Sequence, residues 1–296
     1  MFRFNRAVLP LLLFFTAACG TDLQRANAQD LAAAFHAPAP MVEEDPLVTE
    51  TTAANARTTI VRGEGGALPT RVTRAVSRED PLKVMVIGDS LADGFGMFLE
   101  QLVARRSLPV AVINRGRTST GLARSDFYDW PGNFAGFAAA DRPDIVVAHF
   151  GANDNQPIRF ADGRSVPYDT ADWDAAYKGR ARAILDVAAA ERAVVYWLGP
   201  APDGDAHRNA LLSKANKLFL RVAQGAGAHF ISLPAITAGP NGEFVSVANG
   251  TKIRSGDGSH FTGAGYSLVV NEILGAIERD NPGLFSPSSV EIASLQ

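Results

Sequence analysis

The chain has very little cysteine and no excess of positive charge. Its 296 residues include one cysteine, so it cannot form an internal disulfide framework or a cysteine-based zinc cluster. The formal net charge of -3 argues against a nucleic-acid partner. Calcium-loop spacing, an H-x-x-H pair and the glycine motifs of nucleotide sites are also missing from the sequence. The sequence therefore predicts neither a metal nor a cofactor.

The amino terminus has the pattern of an export signal. Two arginines precede an apolar stretch over residues 7–15, which is too short to span a bilayer. This pattern predicts a signal peptide over residues 1–18. Cys19 follows Ala17 and Ala18 and resembles the lipidated cysteine of bacterial lipoproteins, which predicts membrane attachment through Cys19. The alternative is cleavage after the Ala-Asn-Ala at residues 26–28, which would leave a soluble periplasmic or secreted protein.

The rest of the chain divides into a tether, one folded domain and a tail. Residues 19–80 show no sustained hydrophobic period and are dominated by Ala, Pro, Thr, Glu and Gly, as expected of a disordered tether. A regular hydrophobic pattern occupies residues 81–285, and residues 286–296 follow as a C-terminal tail. We expect the tether to hold the folded domain away from a membrane surface.

Apolar runs and amphipathic segments alternate through the folded domain. This alternation predicts an α/β fold, a three-layer α/β/α sandwich with about five parallel strands. The predicted strands are residues 84–87, 110–113, 145–150, 193–198 and 229–233, and the predicted helices are 94–106, 133–140, 172–190, 206–224 and 263–279. Long loops at 114–131, 151–171, 199–206 and 234–262 are where a substrate-binding surface is expected.

Ser90 lies where the first predicted strand ends. Gly88 and Asp89 interrupt the apolar run over residues 84–87, and an amphipathic segment begins directly after them. Ligands of open parallel sheets bind outside the carboxyl ends of the strands, so the Ser90 hydroxyl is expected to face a crevice. From this stretch alone, helix capping and catalysis are equally good interpretations.

Two further loops carry polar residues that could complete a serine-based site. Asn153 follows the third predicted strand, and Asp257 and His260 lie three residues apart before the last predicted helix. Acyl transfer by a serine requires a base, a group that orients the base, and hydrogen-bond donors for the oxyanion. His260 and Asp257 can supply the first two, and the Asn153 amide can act as a donor. Together these residues indicate a nucleophilic serine at position 90.

These blocks resemble those of the SGNH, or GDSL, hydrolase superfamily over about residues 82–280. The resembling segments are Gly-Asp-Ser-Leu at 88–91, Gly-Ala-Asn-Asp at 151–154 and Asp-Gly-Ser-His at 257–260. The resemblance implies a flavodoxin-like sheet with Ser90 as nucleophile, His260 as base and Asp257 as orienting acid. It also implies an oxyanion hole made by Ser90 N–H, the Asn153 amide and a glycine N–H, for which we choose Gly121, with Gly116 as the alternative.

Residues 121–131 further resemble an envelope-associated branch of this superfamily that is catalogued as a domain of unknown function. With the export signal, the resemblance implies a serine esterase acting on O-acyl esters, acetyl or other short-chain, of an envelope or extracellular polysaccharide. The alternatives are an O-acyltransferase that uses the same acyl-enzyme and a non-catalytic carbohydrate-binding module. An anionic sugar or acyl group could contact basic residues of the long loops, namely Arg115, Arg117, Arg124, Lys252 and Arg254.

The remaining histidines are interpreted without a catalytic role. His149 is predicted to be a hydrogen-bonded core residue, because it lies on a buried strand. His207 and His229 have no acidic partner at a useful spacing in the sequence and are expected to be surface or packing residues.

Overall fold

A five-stranded parallel sheet forms the centre of the domain in the computed structural model, which describes residues 67–285. The predicted signal peptide, Cys19, most of the predicted tether and nearly all of the tail lie outside the described residues. In chain order the strands are β1 (Leu82–Gly88), β2 (Val110–Gly116), β3 (Ile145–His149), β4 (Ile158–Arg159), β5 (Ser165–Val166), β6 (Val194–Gly199), β7 (His229–Ser232), β8 (Val247–Ala248) and β9 (Thr251–Lys252).

Helices cover both faces of this sheet, so the predicted three-layer sandwich is confirmed. The sheet has the strand order β2-β1-β3-β6-β7, with every neighbouring pair parallel. The helices are α1 (Ser90–Arg105), α2 (Trp130–Asp141), α3 (Ala171–Ala190), α4 (Ala206–Ala226), α5 (Pro234–Thr237) and α6 (Gly263–Asp280). Helices α1 and α6 pack on one face, and α2, α3 and α4 pack on the other.

The central strands are mainly apolar because both of their faces are buried. On β1, Met85 and Ile87 face the cluster under α2, α3 and α4, whereas Val84 and Val86 face the cluster under α1 and α6. Burial of each such side chain stabilises the fold by about 1.5–3 kcal/mol. The sheet therefore provides a rigid frame, and the loops at its carboxyl edge can carry polar groups.

The strand order reverses between β1 and β3, which places a crevice at their carboxyl ends. Ser90 lies two residues after the end of β1, and Asn153 lies in the loop after β3. Two of the predicted site residues therefore lie on neighbouring strands at this reversal point.

Residues 67–80 contact the domain although they were predicted to belong to the tether. Leu68 is buried among the core side chains, and the Val72 N–H donates to Asn281 Oδ1 at 2.8 Å. The guanidinium of Arg74 binds Asp144 with two hydrogen bonds of 2.6 Å. The domain consequently begins before residue 81, and its packed part includes this irregular segment.

Two short hairpins lie inside segments that the sequence predicted as loops. Strand β4 pairs with β5, and β8 pairs with β9, each antiparallel. Both hairpins are too short to show an alternating hydrophobic pattern, which is why the sequence did not predict them. Among residues 67–285, no helix has the length and apolar character that crossing a membrane requires.

Candidate active site

Ser90 lies at a sharp turn between β1 and α1. Gly88 ends the strand with φ at +134°, and a Cβ at this position would lie 1.7 Å from the His149 carbonyl oxygen, so only glycine fits. Asp89 caps α1, because its carboxylate accepts hydrogen bonds from the two backbone N–H groups that follow Ser90. Ser90 is therefore the first residue of the helix and is only partly buried.

The carboxylate of Asp89 also joins this turn to the neighbouring strand. Its Oδ1 lies 2.9 Å from Nδ1 of His149, and both side chains are fully buried. Its Oδ2 accepts a 3.3 Å hydrogen bond from Ala152 N–H in the loop after β3. The prediction that His149 is a hydrogen-bonded core residue is confirmed. Asp89 fixes the serine turn relative to the loop that carries Asn153.

Ser90, His260 and Asp257 form a chain of hydrogen bonds, although they lie up to 170 residues apart. Ser90 Oγ is 2.9 Å from His260 Nε2, and His260 Nδ1 is 2.6 Å from Asp257 Oδ2. Asp257 and His260 lie in the loop just before α6, whose first turn is capped by the side chain of Thr262. The structure brings together the three residues that the sequence indicated, each at the distance that a nucleophile, base and orienting acid require.

Asp257 accepts hydrogen bonds that hold it as a carboxylate. Burial alone would raise its pKa, but hydrogen bonds from Ser255, from the His260 ring and from the backbone N–H groups of Ser259 and His260 lower the pKa well below its ordinary value. Apart from the contact with the His260 ring, the shortest of these hydrogen bonds comes from Ser255 Oγ, which lies 2.6 Å from Asp257 Oδ1. Ser255 was not predicted from the sequence, although its position two residues before the acid was an available signal.

Two backbone N–H groups and one side-chain amide are available as oxyanion donors. Within residues 67–285, the N–H groups of Ser90 and Gly121 have no hydrogen-bond acceptor. The Asn153 amide donates one hydrogen to the Thr120 carbonyl at 2.9 Å, so its second hydrogen remains for a substrate. The N–H of Gly116 already donates to Asn114 Oδ1 at 3.0 Å, so the structure favours Gly121 over Gly116.

Asp154 shapes the backbone on which Gly121 lies. This fully buried carboxylate accepts hydrogen bonds from the N–H groups of Leu122 and Ala123 at 3.1 and 2.8 Å, and from the hydroxyl of Tyr177 at 2.7 Å. Burial raises the pKa of Asp154 despite these donors. A Cβ on Gly121 would lie 2.1 Å from Asp154 Oδ1, so this position also requires glycine. Tyr177 was not predicted from the sequence, because it lies 23 residues from Asp154 along the chain.

His207 and His229 form no hydrogen bond with Ser90, His260 or Asp257. His207 is exposed near the start of α4. His229 does have an acidic partner, because its Nδ1 lies 3.2 Å from Asp280, and its Nε2 lies 2.8 Å from the Thr70 carbonyl. His229, the first residue of β7, therefore binds the segment of residues 67–80 to the edge of the sheet.

The basic residues predicted for substrate contact have different surroundings. Arg115 pairs with Asp141 at 2.7 Å, and Arg124 binds Asp126. Arg254 is 1% exposed and cannot reach a substrate, so its expected role as a surface contact is wrong. Arg117 is exposed, stacks at 4.7 Å over the ring of Tyr128 and has no carboxylate partner within the described residues. Lys252 is likewise exposed.

The site combines the groups that covalent acyl transfer uses. A hydroxyl has an imidazole within hydrogen-bond distance, the imidazole is oriented by a carboxylate, and N–H donors lie on the adjoining loops. Among the side chains that the structure describes, no group of three or more His, Cys, Asp or Glu residues could hold a metal ion.

Known structures share this fold at low sequence identity. A protein assigned to the lipolytic G-D-S-L family from Desulfitobacterium hafniense DCB-2 is 15% identical with a TM-score of 0.50, over 66% of this chain and 98% of that one. The acetyl xylan esterase AlAXEase is 15% identical with a TM-score of 0.50, over 66% of this chain and all of that one (100%). An acetyl-xylooligosaccharide esterase from Geobacillus Stearmophilus, crystallised as a mutant, is 16% identical with a TM-score of 0.50, over 66% and 94% of the two chains.

These likenesses show that the domain has the SGNH hydrolase fold, as the sequence blocks predicted. None of the curated protein sequences matches the chain. A family model described as "Protein of unknown function (DUF459)" matches residues 83–276, which include Ser90, Asn153, Asp257 and His260. The chain therefore belongs to the DUF459 family and has the fold of the SGNH hydrolases.

Proposed function

We propose that this protein is a serine esterase that hydrolyses O-acyl esters. The observation that carries the proposal is the hydrogen-bond chain from Ser90 Oγ through His260 to Asp257, with distances of 2.9 and 2.6 Å. The unoccupied N–H groups of Ser90 and Gly121 and the free hydrogen of the Asn153 amide support it, because an acyl-transfer reaction needs donors for the oxyanion.

In the acylation half, Ser90 Oγ attacks the ester carbonyl carbon while His260 Nε2 accepts the hydroxyl proton. Asp257 holds the imidazole through Nδ1 and stabilises the imidazolium that forms. The negative charge on the carbonyl oxygen is stabilised by the Ser90 and Gly121 N–H groups and the Asn153 amide. The tetrahedral intermediate then expels the alcohol, which takes the proton from His260, and the acyl group remains on Ser90.

In the deacylation half, water attacks the acyl carbon and gives a proton to His260 Nε2. Collapse of the second tetrahedral intermediate breaks the bond between the acyl carbon and Ser90 Oγ, and the serine recovers its proton from the imidazolium. The products are the free acid and the unchanged serine. If a sugar hydroxyl replaced water in this half, the same residues would perform acyl transfer.

We propose a short-chain acyl ester of a polysaccharide as the substrate. The side chains of His260 and Asp257 are 36% and 51% exposed, so this part of the site is open to an ester carried on a large polymer. Exposed Arg117, which stacks on Tyr128 in the Gly121 loop region, adds a contact for an anionic sugar. Two of the structures with this fold are named for acetylated xylan and xylooligosaccharides, which is consistent with this class.

Export to the periplasm or cell envelope, and attachment through Cys19, belong to the same proposal. They rest on the amino-terminal sequence, since residues 1–66 lie outside the described structure. Mass spectrometry of the mature protein should find a lipid-modified amino-terminal Cys19, and Cys19→Ser should release the protein from the membrane fraction or leave it unprocessed. A mature protein that starts at Gln29 would instead show a soluble exported protein.

The test of the function is an assay of aryl esters of increasing acyl length, with and without excess oligosaccharide acceptor. Free acid and acylated sugar are measured separately. We expect free acid from short acyl chains, at a rate that does not depend on the acceptor, and no turnover by Ser90→Ala. If acylated sugar were the main product, and hydrolysis were slow when the acceptor is absent, the proposed function would change from esterase to acyltransferase. No turnover of any ester by the folded protein would favour a binding module.

A further inference from the structure

Arg254 is a buried arginine whose contacts join two loops at the site. Its Nη1 donates to the Ser259 carbonyl at 2.8 Å, and its Nη2 donates to the Pro202 carbonyl at 2.7 Å. The guanidinium also lies 3.9 Å from the centre of the Phe261 ring. Ser259 and Phe261 are the two residues that flank His260. The arginine therefore links the loop that carries the base to the loop that follows β6.

Asp203, in the loop that follows β6, also binds the loop that carries His260. Its side chain is buried, and its Oδ2 accepts a 2.6 Å hydrogen bond from the hydroxyl of Ser259. Its Oδ1 accepts the backbone N–H of Asp205 and lies 3.2 Å from the guanidinium of Arg208. Ser259 is thus held twice, by Arg254 at its carbonyl and by Asp203 at its hydroxyl.

The two buried groups carry opposite charges. Burial lowers the pKa of Arg254 to about 10, and the negative charge of Asp203 opposes this change. Arg254 consequently remains a cation near neutral pH. A buried pair of charges is weak evidence for stability, because well-packed apolar side chains often stabilise a core as well or better. A specific geometric role is therefore the better explanation for these two residues.

We propose that Arg254, Asp203 and Ser259 form a brace that positions His260 for proton transfer with Ser90. These three are positioning residues, since no side chain among them forms a hydrogen bond with Ser90 or with the ring of His260 in the part of the chain that the structure describes. The proposal rests on the esterase function only for its kinetic readout. The imidazole is 36% exposed and its ring nitrogens contact Ser90 and Asp257, so fixed backbone on both sides of His260 helps to keep Nε2 near Ser90 Oγ. Misplacement of a catalytic group by about 1 Å can cost on the order of 10²-fold in rate.

The experiment compares Arg254→Met, Arg254→Lys and Ser259→Ala with Ile184→Ala, a control in α3. Ile184 is fully buried, so this control lowers the melting temperature without touching the brace. Three quantities are measured for each folded variant: kcat and KM on an aryl ester, the rate at which an organophosphonate labels Ser90, and the proton NMR signal of His260 Nδ1–H. The NMR signal reports the bond between His260 and Asp257 without any turnover.

For Arg254→Met we expect kcat and the labelling rate to fall by on the order of 10²-fold, with KM changed by less than about threefold and the Nδ1–H signal shifted or broadened. Ser259→Ala keeps the arginine and should lose about tenfold. Arg254→Lys retains the charge but cannot reach both carbonyls, so it should restore only part of the rate.

The proposal is overturned if the brace variants, at equal folded fraction, match Ile184→Ala in labelling rate and in the NMR signal. If the wild-type protein turned over no ester, the esterase function would fail, whereas the Nδ1–H signal would still test the brace. If Arg254→Met does not fold, Ser259→Ala alone decides, because it removes one hydroxyl and leaves the buried guanidinium in place.

Discussion

The site has two parts that are held in different ways. The oxyanion half comprises Ser90, Gly121 and Asn153, and the base half comprises Asp257 and His260. In the oxyanion half, Asp89 and Asp154 are 0% exposed and bind the backbone N–H groups of the loops that carry Ser90 and Gly121. In the base half, the side chains of Asp257 and His260 are 51% and 36% exposed. The oxyanion donors are therefore held by buried carboxylates, whereas the acid and the base are themselves partly exposed, on a loop whose backbone is held by the buried Arg254.

This difference follows from the work that each half would do. Oxyanion donors stabilise a transition state only if they are already fixed where negative charge develops, and buried carboxylates fix backbone N–H groups well. The base must exchange protons with a leaving group and with water, so it needs access to solvent. We therefore expect substitutions of Asp89 or Asp154 to lower both turnover and stability, and substitutions of His260 to lower turnover alone.

The largest expected effect is the loss of the nucleophile or the base. Ser90→Ala and His260→Ala should each lower kcat by on the order of 10⁴-fold or more, and the double variant should lose little beyond either single one. Because both side chains reach the surface, the melting temperature should stay close to that of the wild type. Steady-state kinetics and thermal unfolding measure the two quantities, with Ser213→Ala on the exposed face of α4 as a control. Near-normal turnover by Ser90→Ala would remove the mechanism.

A smaller effect is expected from the side-chain oxyanion donor. Asn153→Ala removes one donor to the developing charge, so kcat should fall by roughly 10²–10³-fold with little change in KM. The control is Asn133→Ala, an exposed asparagine on α2. A change confined to KM would mean that Asn153 binds the ground state and is not an oxyanion donor.

Asp154→Asn tests whether the core support of Gly121 matters for turnover. An amide has one acceptor oxygen in place of two, so at least one of the N–H groups of Leu122 and Ala123 or the Tyr177 hydroxyl would lose its partner. We expect a stability loss of about 1–3 kcal/mol and a decrease in kcat of about tenfold or more. Urea unfolding and kinetics measure these effects, and Tyr177→Phe, which removes one donor, should cause smaller losses of both. An unchanged kcat in Asp154→Asn would show that the hydrogen bonds of Asp154 are not needed to position the oxyanion donors.

The smallest effect concerns Tyr266, where the two halves of the site meet. Its ring on α6 packs against Gly94 of α1 and stacks on Phe98, with 5.0 Å between the ring centres. Burial and the charge of Asp89 raise the pKa of Tyr266 to about 12. Because the folded pKa exceeds the unfolded value of about 10, its contribution is complete below about pH 10 and is lost as the pH rises toward 12.

Between about pH 9 and about pH 11, the wild type should lose on the order of 1 kcal/mol more unfolding free energy than Tyr266→Phe. Urea unfolding at the two pH values measures this difference. Equal losses in both proteins would show that Tyr266 does not titrate with unfolding.

Sequence patterns were sufficient to predict the sheet and the three residues that the structure joins in one chain of hydrogen bonds, Ser90, His260 and Asp257. The strands show as apolar runs because both faces are buried, and the motifs around Ser90 and His260 are short and local. Helix α1 was predicted to begin near residue 94 but begins at Ser90. Gly94 and Gly96 lower the helix propensity of this segment, and they are present because Tyr266 and Asn114 pack where a Cβ would lie.

The supporting residues could not be predicted, because their partners are distant in the sequence. Arg254 binds a carbonyl 52 residues away, Ser259 binds an aspartate 56 residues away, and Asp154 binds a tyrosine 23 residues away. No spacing rule connects such positions, since they become neighbours only when the loops at the carboxyl edge of the sheet come together. The same reason applies to Leu68 and Arg74, whose contacts bring residues 67–80 onto the domain.

The most direct test of the central claim is labelling of the folded protein with a fluorophosphonate ester, followed by peptide mass spectrometry. We expect one modified residue, Ser90, with loss of labelling in Ser90→Ala and labelling slowed by on the order of 10²-fold or more in His260→Ala. Modification of a different residue, or an unlabelled Ser90 in protein shown to be folded by its thermal transition, would contradict the assignment of this site as a serine hydrolase.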